Sequence, residues 1–276
     1  NTTYIYEVLP QDSTEILTLP LENTCDYEVG FEMVERETII RQDFEEGLMP
    51  PTGWETISLG TGTPEWGIKD AVEYPEGVDQ GSFAAWISYD VSKESDEWLL
   101  SPEIDPSGLS DLSLTFRGFS SWKDFDGATV NVWVTNVEGV PITEFSPDPL
   151  WDMVKDERFN TDSYLYHTVF VDLSDFADYG DQIRIAWQYE GRNGAPFGLD
   201  MIDITTSYDL QWLSVEPTWG TLQPGESVDI DLTFDSHGFA LDDYFGAIAP
   251  DPSNPIPITL KVIDATFNIY LPLIVR

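Results

Sequence analysis

The chain has 276 residues, which is enough for two or three domains with a sizeable core. Its 51 acidic and 12 basic residues give a formal net charge of −39, which disfavours nucleic acid and anionic lipid as partners. Such a charge suits cations, basic partners or an acidic medium, or is an adaptation for solubility. The 41% of hydrophobic residues and 10 tryptophans exclude a disordered acidic chain, and the single cysteine excludes an internal disulfide.

Residues 1–41 contain three predicted strands, TYIYEVL, EILTLPL and YEVGFEMVE, separated by the turns PQDS and ENTCD. In the second strand, Leu17, Leu19 and Leu21 share one face. The stretch TEILTLPLENTCDYEVGFEMVE resembles part of a bacterial immunoglobulin-like domain. Three strands are few for an independent sandwich, so this segment is an incomplete domain.

Residues 42–207 form a second segment, in which short strands alternate with turns rich in Gly, Pro, Asp and Ser. This pattern is typical of a sandwich or jelly roll. The pieces DFEEGLMPPTGW, DEWLLSPEID and FGLDMIDI occur in an order that resembles the MAM-like jelly rolls of bacterial surface proteins, the choice-of-anchor J and cleaved adhesin group.

The resemblance implies a structural calcium ion that ties the first strand of the jelly roll to the last. Calcium takes six to eight oxygen ligands, several of them carboxylates. The closing motif of the family usually carries two adjacent acids, whereas here it reads LDMID, so the second acid is lost or displaced. A second candidate, Asp124 and Asp126 in WKDFDGA, also matches a solvated turn. The predicted ligands are Asp43, Glu45, Asp200 and Asp203.

Residues 208–276 begin with a stretch that resembles a BACON-type immunoglobulin-like module, through WLSVEPTWGTLQPGES, VDIDLTF and YFGAI before PITLKV. The predicted fold is therefore all-β. It combines a jelly-roll β-sandwich with an immunoglobulin-like β-sandwich, and has extra strands at both termini.

The segment FNIYLPLIVR, residues 267–276, predicts an additional strand with one fully apolar face. It has three possible places: in its own module, against the N-terminal strands of the same chain, or in a neighbouring subunit. The third would join copies head to tail by strand complementation, with Leu17, Leu19 and Leu21 on the accepting side. The predicted donor residues are Phe267, Ile269, Leu271, Leu273 and Val275.

The abundant acids leave a pair of catalytic carboxylates open, but the sequence has no other catalytic pattern, so we predict that the protein is not an enzyme. The two histidines, His167 and His237, stand in an ordinary strand and turn, and there is no Gly-x-Ser-x-Gly elbow or zinc pattern. Aromatic residues near predicted loops could bind glycans, although tryptophans in sandwiches usually pack in the core. These candidates are Trp54, Trp66, Trp86, Trp122 and Trp151. The segment EFSPDPLWDMVKDERFNTDSYLY is the least strand-like part and the place to seek a ligand.

Two functions are compatible with these features. The first is an extracellular structural or adhesive protein of the cell surface, assembled with copies of itself into filaments. The alternative is a glycan-binding accessory module of a larger secreted enzyme. No apolar run reaches transmembrane length. The chain opens without a signal-peptide pattern, so we expect a mature form.

Overall fold

The structure is a computed structural model that describes residues 4–62, 64–120, 126–159, 165–249 and 256–264. The described residues form nineteen strands and four short 3₁₀ turns, so the all-β prediction is confirmed. The 3₁₀ turns are Pro75–Gly77, Met153–Lys155, Glu157–Phe159 and Ser174–Phe176. The strands are β1 (Ile5–Pro10), β2 (Thr14–Glu22), β3 (Val29–Glu32), β4 (Val34–Gln42), β5 (Glu55–Ser58), β6 (Gly67–Asp70), β7 (Phe83–Ile87), β8 (Ser95–Leu100), β9 (Ser113–Ser120), β10 (Asp126–Thr135), β11 (Trp151–Asp152), β12 (His167–Asp172), β13 (Arg184–Gly194), β14 (Phe197–Ser207), β15 (Leu213–Glu216), β16 (Trp219–Leu222), β17 (Ser227–Asp235), β18 (Asp243–Ala249) and β19 (Ile256–Ile263).

The chain divides into two compact units. Unit 1 comprises residues 1–38 together with 205–276, and unit 2 comprises residues 39–204. The first and third segments of the sequence analysis therefore fall into one unit. In chain order, unit 2 is an insertion between the two segments of unit 1.

Unit 1 is an immunoglobulin-like β-sandwich built from both segments. One layer has the order β1-β19-β18-β4, and the others are β15-β17-β2 and β16-β3. Alternating residues of these strands meet in one core, which buries Ile5, Trp212, Leu232, Phe234, Ile258 and Leu260. Leu17, Leu19 and Leu21 are half-buried and pack against this core.

Unit 2 is a jelly-roll β-sandwich. One sheet is antiparallel with the order β11-β10-β13-β8-β5, and the second joins β12, β9, β14, β7 and β6. The strands of the first sheet turn alternate residues inward because side chains alternate along a strand. The shared core includes Val130, Val132, Ile185, Trp187, Leu114, Phe116 and Leu199.

The predicted final strand, residues 267–276, lies outside the described residues. Where the structure is described, no helix has the length and apolar character needed to cross a membrane.

Candidate functional site

The outward side of the five-stranded sheet of unit 2 combines tryptophans with amides and carboxylates. We call this surface the outer face. Along ATVNVWVT of β10, the valines point into the core and the intervening residues point outward. The outer face comprises Thr129, Asn131 and Trp133 of β10, Ala186, Gln188 and Glu190 of β13, Asp96, Trp98 and Leu100 of β8, Ile57 of β5 and Asp152 of β11.

The strand register aligns one row of these residues across all five strands. The directly paired positions are, in order, Asp152, Asn131, Gln188, Trp98 and Ile57. Side chains of directly opposed residues are neighbours on the same face of a sheet. The row therefore changes from acidic and amide groups at β11 to apolar groups at β5.

Hydrogen bonds join the two tryptophans of the outer face through an amide and a carboxylate. Trp133 Nε1 donates to Gln188 Oε1 at 2.9 Å, and Gln188 Nε2 donates to Asp96 Oδ1 at 2.9 Å. Trp98 Nε1 donates to the same Asp96 oxygen at 2.7 Å. Because both indole N–H groups are bonded, the network fixes the orientation of both rings.

The centre of the network is well shielded although it lies on the outward side. Asn131 is 5% exposed and Gln188 is 7% exposed, whereas Trp133 is half-buried and Glu190 is exposed. Partial desolvation of its carboxylate by the surrounding protein, and then the nearby Asp96, raise the pKa of Glu190. The outer face thus has one partly accessible indole, that of Trp133, beside polar groups fixed by hydrogen bonds and an acidic margin.

The apolar half of the outer face has its own small cluster beneath a turn. Trp98, Leu100 and Ala186 are buried there, with Trp133 packed against them. A Cβ atom on Gly139 would lie 3.0 Å from Leu100, so the turn that contains Gly139 packs closely on this cluster. The cluster supports Trp133 from one side.

An open cleft of about 400 Å³ adjoins the outer face at its acidic end. Asp152 belongs to both, because its side chain also accepts a hydrogen bond from Thr129 Oγ1 at 2.7 Å. The cleft lies in the segment EFSPDPLWDMVKDERFNTDSYLY, for which a ligand was predicted from the sequence. It is lined by Pro149, Leu150, Trp151, Asp152, Lys155, Asp156 and Glu157.

The tryptophans proposed from the sequence lie elsewhere. Trp54 and Trp66 are buried in the core of unit 2. Trp86 is half-buried beside Phe119, with ring centroids 5.4 Å apart. Trp151 is half-buried and lines the cleft. Trp122 lies outside the described residues.

Sequence reasoning missed Trp133, Trp98, Gln188 and Asp96. A signal for Trp133 was present, because it stands among polar residues on the outward phase of a strand whose other phase carries Ala128 and three valines. The remaining members lie on β8 and β13, and only the strand register brings them beside Trp133.

Two of the predicted calcium ligands instead hold one loop of unit 2, residues 75–83. Glu45 Oε1 accepts hydrogen bonds from the backbone N–H groups of Ser82 and Phe83 at 2.8 and 3.0 Å. Asp200 Oδ2 accepts from two further amides of this loop, those of residues 79 and 80, at 3.2 Å each.

The other two predicted ligands are Asp203, which lies near an arginine, and Asp43, which caps a turn. Asp203 Oδ1 is buried and is 3.9 Å from Arg41 Nε, and Asp43 Oδ1 accepts from the Glu45 N–H at 3.2 Å. Burial raises the pKa of Asp203 to about 6. Asp43 contributes a smaller effect in the same direction.

The four residues are not arranged as a preformed calcium site. Among the described residues, no group of three or more His, Cys, Asp or Glu is placed to hold a metal ion. Backbone amides already occupy oxygens of Glu45 and Asp200. Asp126 begins β10, and Asp124 lies outside the described residues. Calcium binding therefore stays a prediction.

No family model and no curated protein matches the chain. A cleaved adhesin domain of Lys-gingipain from Porphyromonas gingivalis is similar in structure, with 15% identity and a TM-score of 0.44, over 60% of this chain and 96% of that domain. A family 61 carbohydrate-binding module solved with β-1,4-galactotriose shows 15% identity and a TM-score of 0.39, over 59% and 92%. A family 22 xylan-binding domain from Paenibacillus barcinonensis shows 12% and 0.37, over 63% and 97%. Likenesses at these TM-scores carry no argument about function, and the MAM-like and BACON-type assignments stay predictions.

Proposed function

We propose that the protein is an extracellular or cell-surface carbohydrate-binding protein, and that the sugar lies on the outer face of unit 2. The observation that carries this proposal is the network of Trp133, Gln188, Asp96 and Trp98 on an outward sheet surface. This role is adhesion to a glycan without chemical conversion of it.

The chemistry of the outer face suits a sugar ring. A pyranose has an apolar face of C–H groups, which packs on an indole, and hydroxyls at its rim that both donate and accept hydrogen bonds. Trp133 supplies the ring. The carboxylates of Asp96 and Asp152 can accept hydrogen bonds from hydroxyls, while the shielded amides of Asn131 and Gln188 support the network.

The network also lowers the entropic cost of binding. Trp133 and Gln188 are already bonded to each other, so few rotamers remain to be fixed when a ligand arrives. Oδ1 of Asp96 already accepts two hydrogen bonds, from Gln188 and Trp98, so a sugar hydroxyl would donate to the second oxygen of this carboxylate.

Charge indicates which sugars bind. Asp96 and Glu190 give the outer face a negative margin, Asp152 is paired with Lys155 at 3.2 Å, and the whole chain carries −39. Uronic acids, sialic acids and sulfated sugars are therefore repelled. We expect a neutral polysaccharide, with the chain lying across the strands from Trp133 toward the cleft beside Asp152.

A glycan array probed with the full chain tests this function. We expect binding to one or more neutral glycans, competition by the same glycan in solution, and release of no reducing ends. Binding confined to acidic glycans, or a complete absence of binding to neutral ones, would contradict the proposal.

Assembly of copies by strand complementation is a second proposed function. The observation that favours it is the edge position of β2: among the described residues this strand pairs with β17 alone, and Leu17, Leu19 and Leu21 remain half-buried. An added strand on this edge would complete their burial. The donor, residues 267–276, lies outside the described residues.

A further inference from the structure

The strands at which the chain enters and leaves unit 1 run parallel and side by side. β1 pairs with β19 over six residues, while most sheet neighbours in this protein are antiparallel. The pairs run from Ile5↔Ile258 to Pro10↔Ile263. Both strands therefore point the same way, and the preceding and following chain depart from opposite ends of the pair.

The hydrogen bonds between the two strands follow a fixed phase. The N–H of Gln11 donates to the carbonyl of Ile263 at 2.9 Å, and N–H groups of a strand alternate between its two edges. The N–H groups of Glu7 and Leu9 therefore point toward β19, and that of Val8 points away. Pro10, which has no N–H, occupies the outward phase, as expected for a proline in an edge strand.

The pair is shielded from water on its inner side. Ile5 and Leu9 of β1 and Ile258, Leu260 and Val262 of β19 are buried in the core of unit 1. On the outer side, Tyr4 Oη donates to Thr259 Oγ1 at 2.8 Å and covers the first rung. The core therefore shields the rungs from water on the inner side.

We propose that β1 and β19 form a mechanical clamp, so that unit 1 bears tension along the chain. A pull through the residues before Ile5 and after Ile263 acts along the two strands in opposite directions. The rungs are then sheared together, whereas a pull across the strands would break them one at a time. This inference rests on unit 1 alone and does not require the proposed glycan site.

The insertion gives the clamp a second consequence. Unit 2, residues 39–204, lies between β1 and β19 in the chain, so tension reaches it only after β1 and β19 have separated. While the clamp holds, unit 2 stays unloaded.

Single-molecule force spectroscopy on the full chain, held at residues 1 and 276, tests the order of opening. We expect unit 1 to open first, with about 30 nm of chain released from residues 5–38 and 205–263, followed by unit 2 with about 60 nm, at roughly 3.5 Å per residue. Any trace population in which the longer event comes first would overturn the proposal.

Pulling direction tests the clamp without changing its strands. A Ser253→Cys handle, in a Cys25→Ser background that removes the exposed native thiol, places one attachment three residues before β19. Pulling between residue 1 and this handle separates β1 and β19 from one end. We expect the opening force for unit 1 to be about twofold or more lower than for residues 1 and 276, because the rungs then break one at a time and unit 1 unfolds faster under the same force. Equal forces in both directions would contradict the clamp.

A matched pair of proline variants tests the rungs themselves. Glu7→Pro removes an N–H that faces β19, and Val8→Pro removes one that faces away. Under end-to-end pulling, we expect the opening force to fall in Glu7→Pro and to change much less in Val8→Pro. Circular dichroism checks that both variants are folded. An equal loss of opening force in the two folded variants would contradict the assignment of the N–H groups that face β19, and with it the clamp.

Discussion

At the scale of single residues, Asp200 couples the stability of unit 2 to pH. Its side chain is fully buried, and among the described residues its oxygens accept hydrogen bonds from the backbone amides of residues 79, 80 and 201. Burial outweighs these bonds and raises its pKa from 3.8 to about 7. Asp203 is shifted in the same direction, also by burial.

These shifts predict that unit 2 is more stable at mildly acidic pH. A carboxyl group whose pKa is raised by folding binds more protons in the folded state, so the free energy of unfolding falls as pH rises from about 4 to about 7 and then levels off. We expect Tm to rise between about pH 8 and about pH 5, and Asp200→Asn to remove much of this rise. Each 1 kcal/mol corresponds to about 2–4 °C in a protein of this size.

Asp148→Asn is the matched control, because it removes the same charge from an exposed side chain of unit 2. The pH dependence should persist in this variant. If Asp200→Asn and Asp148→Asn behave alike, general charge repulsion, and not the buried carboxyl, sets the pH dependence. A rise in Tm on adding calcium that depends on Asp200 would instead favour the predicted metal site.

At the scale of elements, side chains from four separate parts of unit 2 hold loop 75–83. Glu45 and Asp200 accept from its amides, Arg117 binds the carboxylate of its residue 79 at 2.8 and 3.0 Å, and Tyr166 Oη donates to the carbonyl of its residue 77 at 3.0 Å. The loop has little regular structure of its own. These contacts therefore determine its conformation.

Gly81→Ala should loosen this loop. Gly81 has a φ of +72°, and an added Cβ would lie 2.3 Å from Glu45 Oε1, so Glu45 could make room only by giving up its bonds to Ser82 and Phe83. We expect a lower Tm and faster proteolysis within the loop. Gly108→Ala is the control, because its φ of +75° carries the same backbone strain, about 1–2 kcal/mol, with open space around the Cβ. Equal losses in the two variants would contradict the anchoring role of Glu45.

Individual strands were predictable from the sequence, whereas their partners were not. The alternation around Val130 and Val132 marked β10 as a half-buried strand, and the order of motifs along residues 42–207 indicated a jelly roll. The outer face also needs Asp96 and Gln188, and their adjacency depends on strand register, which no local pattern encodes. The calcium prediction failed to foresee a second arrangement for the same reason. Acids at the two ends of the domain predicted a shared ion, whereas Glu45 and Asp200 accept hydrogen bonds from loop 75–83, which lies between them in sequence.

At the scale of the whole molecule, the terminal segments complete each other. β1, β2 and β3 pair with β19, β17 and β16, and the β2–β17 pairing alone extends from Thr14↔Asp235 to Glu22↔Ser227. The sequence predicted three strands in residues 1–41, which are too few for a sandwich. It could not show which distant strands complete them, because edge pairing depends on chain topology.

The proposed assembly of copies gives a prediction at this scale. A chain lacking residues 267–276 should be folded and monomeric, while the full chain should form linear polymers. Calcium or mildly acidic pH should favour the polymers, since −39 charges otherwise oppose close packing. Light scattering and electron microscopy measure both outcomes. Polymers formed by the shortened chain, or none formed by the full chain under these conditions, would contradict the assembly.

The most direct test of the glycan-binding site is the affinity of Trp133 variants for a neutral glycan bound by the full chain, measured by isothermal titration calorimetry. Trp133→Ala should weaken binding by at least about tenfold, as expected for a central aromatic contact, and Trp133→Phe should keep part of the affinity because a ring remains. Trp219→Ala removes a tryptophan of unit 1 that is 75% exposed, and it should bind like the natural chain. Undiminished binding by a folded Trp133→Ala variant would contradict the outer face as the glycan site.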